Sequence, residues 1–327
     1  MPSKGIALLT GAGFTHNFGA PLASDLWSAI VGHPRVQNSA QLRAAMLSDF
    51  DFEAVYERVL ASALSLEEKD SLACAVEDAF EYVDKTVREW VSRREARHPV
   101  NVYKVQELIN SFSGTGARPG FFFTLNQDLF VERHYYNGTR PRLPGIQTHQ
   151  EWFGTRFNRQ LGEEDYVTLP EGDALDAMGE LLSGGTFYYL KLHGSYNWRS
   201  ADGTRRMVIG QGKTDQIETE ALLARYFAVF EEVLAEEDGR LLVIGYGFRD
   251  QHVNRVLAEA VRQSGLKVFI VTPEAPASLH DRLEGTQDGR AIWSGLGGYY
   301  PWSLEQMFPA DQSATAEWSM VQRQCFE

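Results

Sequence analysis

Four short stretches carry the residues best suited to chemistry, and each follows an apolar run. Ile6-Ala7-Leu8-Leu9 passes into Gly11-Ala12-Gly13 and Thr15. "GFFFTL" passes into Asn126-Gln127-Asp128, "YYLKL" into His193-Gly194-Ser195, and "LLVI" into Gly245-Tyr246-Gly247 with Asp250 close behind. Glycines directly after a strand let a phosphate approach the backbone, because no Cβ intervenes. An imidazole titrates near neutrality, so His193 can take a proton from water or a hydroxyl. Asn126 and Asp128 supply hydrogen-bonding groups at a neighbouring strand end. Each stretch also has a plainer reading. His193 could be a satisfied strand end, Asn126 and Asp128 could be turn formers and a helix cap, and the glycines could serve tight turns. The common dinucleotide fingerprint would place a third glycine at position 16, where His16 stands, and Gly19 comes too late.

The elements that must position these groups can be read from the apolar runs. Strand candidates are Gly5–Thr10, Gly120–Leu125, Thr186–Leu192, Arg240–Gly245 and Leu266–Thr272, with a weaker one at Arg290–Trp293. Several are almost wholly apolar, as expected for strands buried on both faces of a parallel sheet. Helical spacing marks 51–64, 71–91 and 101–112 between the first two strands, and 218–236 and 250–263 later. Residues 139–185 read as irregular, broken by Pro141, Pro144 and Pro170. The fold class is therefore α/β: a Rossmann-like doubly wound parallel sheet with a helical insertion over roughly 30–115, all within one domain spanning 1–327. In such a sheet the carboxyl ends of the strands share one crevice, so all four polar stretches would face it.

Composition narrows the classes. The 327 residues are 43% hydrophobic and 23% charged, as in an ordinary globular chain. No apolar run approaches the ~20 residues that span a bilayer. The first apolar run enters a glycine turn, which reads as a core strand and not as a signal peptide. The two cysteines, Cys74 and Cys325, form no Cys-x-x-Cys pair, so neither a disulfide framework nor a cysteine zinc site is expected, and a reducing, cytoplasmic setting follows. His16, His134, His149 and His252 show no metal-ligand spacing, and no metal is expected. A net charge of −13 argues against broad binding to nucleic acid. The basic "SRREAR" that ends the long helix complements its dipole.

Taken together, the motifs resemble the sirtuin (Sir2) superfamily. The Gly-Ala-Gly at 11–13, Thr15 and Gly19-Ala20-Pro21 match its first motif; Thr124, Asn126 and Asp128 match its T-x-N-x-D; His193-Gly194 match its catalytic His-Gly; and Gly245-Tyr246-Gly247 look like its later ribose loop. The resemblance covers roughly 1–30, 118–138 and 185–275. Two departures count against acetyl-lysine chemistry: the family's zinc module of paired Cys-x-x-Cys is missing, and Leu22-Ala23-Ser24 replace its Asp-Phe-Arg. "KLHGSYNW" and "IGYGFRDQHVN" look like the bacterial sirtuin-like branch of antiphage defence, whose members hydrolyse NAD.

The resemblance implies NAD as substrate, with loss of nicotinamide through an oxocarbenium-like state. Asn126 and His193 would be catalytic: Asn126 would hold ribose hydroxyls and position water, and His193 would accept the proton. Asp128 would fix the nicotinamide carboxamide. Gly11, Ala12, Gly13, Thr15, Ser195, Gly245, Gly247 and Asp250 would bind phosphate or ribose. The product would be ADP-ribose or a cyclised form of it. Deacylation or ADP-ribosyl transfer is the enzymatic alternative, and a non-catalytic NAD or ADP-ribose sensor is the other. Free NAD hydrolysis would harm the host, so gating is implied. Chains of this kind resemble effectors paired with a HerA-type hexameric ATPase, or alternatively with a short Argonaute. A homo-oligomer larger than a dimer is expected, with the insertion near its interfaces.

Overall fold

A computed structural model describes residues 5–90, 99–146, 159–178, 181–200, 202–203, 205–210, 212–311 and 315–327. His149 and the "SRREAR" segment lie outside these. Among the described residues nine strands form two sheets: β1 (Ile6–Thr10), β2 (Gly120–Thr124), β3 (Val167–Thr168), β4 (Phe187–Lys191), β5 (Gly194–Arg199), β6 (Arg205–Met207), β7 (Arg240–Ile244), β8 (Lys267–Val271) and β9 (Leu296–Tyr300). The main sheet runs β4-β2-β1-β7-β8-β9, and every pairing in it is parallel. Counted within that sheet alone, the order is 3-2-1-4-5-6, the Rossmann order. The strand order reverses between β1 and β7, so the ligand crevice belongs beyond the carboxyl ends of those strands. The side chains of β1, β2 and β4 are buried throughout, which explains their unbroken apolar character.

Helices flank the sheet. Those between β1 and β2 include Ala23–Gly32, Ala40–Ser48, Phe52–Ala61, Leu66–Glu89 and Val102–Asn110. Local chemistry sets their starts. Asp51 Oδ1 accepts from the amides of Glu53 and Ala54, at 3.1 and 3.3 Å. Ser65 and Glu68 close a reciprocal capping box at the head of the 24-residue helix. Along that helix Leu72, Val76, Ala79, Val83 and Val87 are buried at spacings of three and four. Asp84 on the same face accepts from Arg133 in the short helix Phe130–His134, with both side chains almost fully buried. Phe18 stacks on Phe130 at 4.0 Å, with Phe14 and Trp90 edge-on to them. The helix after β1 and the helix after β2 are thus locked to one another behind the crevice.

Two expectations need correction. The segment 290–293 is not a strand. Thr286 caps a helix Gln287–Ser294, and Ile292 is buried on its inner face. The sixth strand is Leu296–Tyr300 instead, and its glycines are imposed by packing: a Cβ on Gly297 would come within 2.7 Å of the Phe269 ring. The helix read at 218–236 is two helices, Lys213–Thr219 and Ala221–Leu234, separated at Glu220, whose φ and ψ of −97° and 106° are extended. Gly194, with φ of +75°, turns the chain into β5, which pairs with β3 and β6 in the second sheet.

Candidate functional site

The glycine loop after β1 and the glycine loop after β7 are in backbone contact at the switch point. Gly11 N–H donates to Ile244 O at 3.1 Å, and Gly13 N–H to Gly245 O at 2.9 Å. A Cβ on Gly13 would lie 2.8 Å from Gly245 Cα, and one on Gly245 would lie 2.3 Å from Phe14 N. Gly245 also sits at φ +66°. Both loops therefore need glycine so that two backbones can touch, and these two amides are committed to that contact. Ala12 is exposed beside them. Gly247 has only the Arg249 side chain near its would-be Cβ.

A second group forms between β1 and β2. Thr10 Oγ1 donates to Thr124 Oγ1 at 2.8 Å across the paired strand ends. Asn126 is buried, and its Nδ2 donates to Thr15 Oγ1 at 3.3 Å. Asp128 Oδ1 accepts from Phe130 N at 2.9 Å, as a helix cap would. Burial pushes the Asp128 carboxyl up to about 6, although Lys191, the Phe130 amide and Thr15 all favour its ionised form. Lys191, at the end of β4, lies wholly buried behind this group. Its Nζ donates to Asp128 O at 2.6 Å and to Glu132 Oε1 at 2.9 Å.

The third group gathers around His193. Its backbone carbonyl accepts from Val208 N at 2.9 Å and from Gln127 Nε2 at 3.2 Å, so the residue between Asn126 and Asp128 braces the histidine. His193 Nε2 faces His252 Nε2 at 2.9 Å. Burial lowers His193 to about 3, with Lys213 and His252 lowering it further and Asp250 opposing. Burial likewise lowers His252 to about 4. Both rings are neutral at neutral pH, so one Nε2–H donates to the lone pair of the other. Lys213 Nζ bridges Asp250 Oδ1 and Glu53 Oε2, at 2.7 Å each. Burial works against ionisation of Asp250, but the charge and hydrogen bond of Lys213 offset it and hold its carboxyl low. Burial raises Glu53 despite the same lysine.

The sequence-derived residues thus fall into three adjoining groups. Gly11, Gly13 and Gly245 form the backbone contact, Thr15, Asn126 and Asp128 the second group, and His193 with Asp250 the third. Ser195 stands apart, wholly buried in β5 with its hydroxyl donated to Asn197 Oδ1 at 2.9 Å. Two further histidines are spoken for locally: His16 Nδ1 meets Ala20 O at 2.9 Å, and His134 Nε2 meets Val87 O at 2.7 Å. Sequence reasoning missed His252, Lys213, Glu53, Gln127, Lys191 and Glu132. Two signals were present. Asp250 and His252 stand two apart at the head of one helix, and Lys191 interrupts an apolar strand where a charge needs a buried partner.

No curated protein matches the chain. The SIR2-like domain family matches residues 120–292, from the first residue of β2 into the helix before β9. The match takes in Asn126, Asp128, His193, Asp250 and His252; β1 and its glycine loop precede it. Among the described residues no helix is long and apolar enough to cross a membrane. Members of the matched family are NAD-using enzymes. More than half of the sequence is matched, and with the Rossmann order of its sheet the chain belongs to the SIR2-like domain family.

Proposed function

We propose that the chain is an NAD glycohydrolase: it adds water across the bond between nicotinamide and ribose, releasing nicotinamide, ADP-ribose and a proton. The observation that carries this reading is the bracing of His193 by Gln127. That contact holds an amide (Asn126), a carboxyl (Asp128) and an imidazole at the adjacent carboxyl ends of β2 and β4, beside the switch point. Asp128, beside the backbone amide it already accepts from, would take the carboxamide N–H of nicotinamide. Asn126 would hold the ribose hydroxyls and the attacking water, which keeps the nucleophile in line as the ring departs. His193 Nε2 would receive the proton of that water or of a ribose hydroxyl. The phosphates would lie along the loops at Gly11–Thr15 and Gly245–Asp250.

The setting we infer is cytoplasmic antiphage defence by NAD depletion, with activity gated through self-assembly and a partner of the HerA-type ATPase or short Argonaute class. Support for assembly comes from Leu47 and Leu66 on the helices between β1 and β2 and Phe50 on a connection between two of them, all exposed. The test is incubation of purified protein with NAD, with and without an acetylated peptide, followed by chromatography. His193→Ala should lower turnover by the ~10²–10⁴-fold typical of losing a general base. Asn126→Ala should abolish turnover while some NAD binding remains. Full turnover in a folded His193→Ala protein removes the histidine from the mechanism, and strict dependence on the peptide replaces hydrolysis by deacylation.

A further inference from the structure

We propose that His193, His252 and Asp250 form a binding site for a transition-metal dication of the zinc class. One ligand atom from each of the three lies within 4.8 Å of the other two. The two Nε2 atoms point at one another, 2.9 Å apart, so both nitrogens are aimed at one small volume. A tetrahedral ion with metal–nitrogen bonds of about 2.0–2.1 Å holds two such nitrogens about 3.3 Å apart. Inserting the ion therefore separates the nitrogens by about 0.4 Å and tilts both rings, so that their lone pairs meet at the ion instead of along the line between them.

The site is built rather than incidental. His193 is buried on the turn between β4 and β5, with its carbonyl pinned by Val208 N and Gln127 Nε2. His252 and Asp250 come from the head of the helix Gln251–Ser264, and the His252 ring packs on Phe227 with centroids 5.3 Å apart. A cation already occupies part of this volume: Lys213 Nζ sits 2.7 Å from Asp250 Oδ1. Lys213 arrives on a segment separate from all three ligands, so it can withdraw toward Glu53 and leave Asp250 to the metal. Two imidazoles and one carboxylate select zinc-like ions over magnesium or calcium, which take oxygen ligands. Three protein ligands leave a fourth position for water. The expectation of no metal rested on spacing along the chain, and the fold joins His193 to a pair 57 residues further on.

A metal here would occupy His193 Nε2 and so inhibit NAD cleavage. That consequence rests on the function proposed above, whereas the binding does not. The experiment is titration of chelator-treated full chain with Co²⁺, followed by visible d–d absorption and calorimetry, with Zn²⁺ as competitor and no NAD present. The expected result is one Co²⁺ per chain, displaced by Zn²⁺. His252→Ala and Asp250→Ala should each weaken binding beyond the about 10–100-fold that loss of an outer-shell partner costs. Lys213→Ala, which removes the competing ammonium, should tighten it. Circular dichroism checks folding, and His252→Gln serves if the alanine variant does not fold. No cobalt spectrum in the wild-type chain, or an affinity unchanged in the folded His252 variant, overturns the proposal. A second arm adds Zn²⁺ to the NAD assay. A chain that binds Co²⁺ but never cleaves NAD retains the metal site and loses the functional reading.

Discussion

Replacing Lys191 by Met should destabilise the chain by about 3–5 kcal/mol, the cost of leaving one partner of a buried ion pair alone. Lys191 and Glu132 have side-chain exposures of 0% and 3%, and their charged atoms are 2.9 Å apart. Glu132 Oε2 has no hydrogen-bond partner among the described residues, so Lys191 is the main compensation that carboxylate has. The methionine fills similar volume but leaves a buried anion and an orphaned Asp128 carbonyl. The expected loss is a large share of the ~5–15 kcal/mol that holds a typical domain together. Lys191→Met with Glu132→Leu removes both charges, and only the lost donor to Asp128 O remains, about 1 kcal/mol. Urea denaturation of the parent, both single variants and the double variant closes the cycle, and the double should be more stable than Lys191→Met alone. A functional signature accompanies this. Lys191 helps hold the Asp128 carboxyl down, so in its absence that group shifts upward from about 6 and is more protonated at neutral pH. A Lys191→Met protein within about 1 kcal/mol of the parent, or a double variant no better than the single, would refute a dry, paired lysine behind the site.

Gly245→Ala should disrupt both glycine loops, because it places a Cβ at 2.3 Å from Phe14 N and adds the roughly 1–2 kcal/mol of a left-handed non-glycine residue; a variant as stable as the parent contradicts the loop contact. Burial lowers His134 to about 4, so the unfolded chain binds its proton first as pH falls below about 6.5, and stability drops between there and 4. By pH 4 this amounts to about 3 kcal/mol, which His134→Gln should remove from the pH dependence of chemical denaturation, and an unaltered slope would contradict a neutral buried ring. Glu53→Gln with Glu57→Gln should release the segment carrying Gly210, Gly212 and Lys213, read as faster amide hydrogen exchange over 208–213 with the core strands unchanged; identical exchange would sink the clamp.

The legible part of this molecule was the part that obeys local rules. Five apolar runs became five parallel strands, because strands covered on both faces have no alternation to hide them. The sixth was hidden because Gly297 and Gly298 carry no apolar signal. Their absent side chains make room for Phe269 and Tyr300, a demand visible only across the sheet. The helix break at Glu220 carries no proline or glycine to announce it. At the site, Asn126, Asp128 and His193 could be found because each ends a strand. Lys213, Glu53 and His252 could not, since their roles arise from where three separate segments meet.

That meeting point is where the proposed gating would act on the site. Glu57 Oε2 accepts from Gly212 N at 2.9 Å, and Glu53 binds Lys213, whose other partner is Asp250 beside the histidine pair. A polar chain therefore runs from the helix Phe52–Ala61 through Lys213 to Asp250, whose carboxylate lies within 4.8 Å of the His193 imidazole. The same helical region exposes Leu47, Phe50 and Leu66, where a second copy or another protein could seat. A contact that moves the helix Phe52–Ala61 moves the carboxylates that hold Lys213 in place, and with them the charge facing Asp250. Such a contact shifts the site only by the difference in its affinity for the two arrangements. A shift from 1:99 to 99:1 needs about 5.5 kcal/mol of that difference. Two half-buried carboxylate contacts and one ion pair, worth roughly 1.5–3 kcal/mol per charged hydrogen bond, are of the size that makes such a switch feasible within one chain.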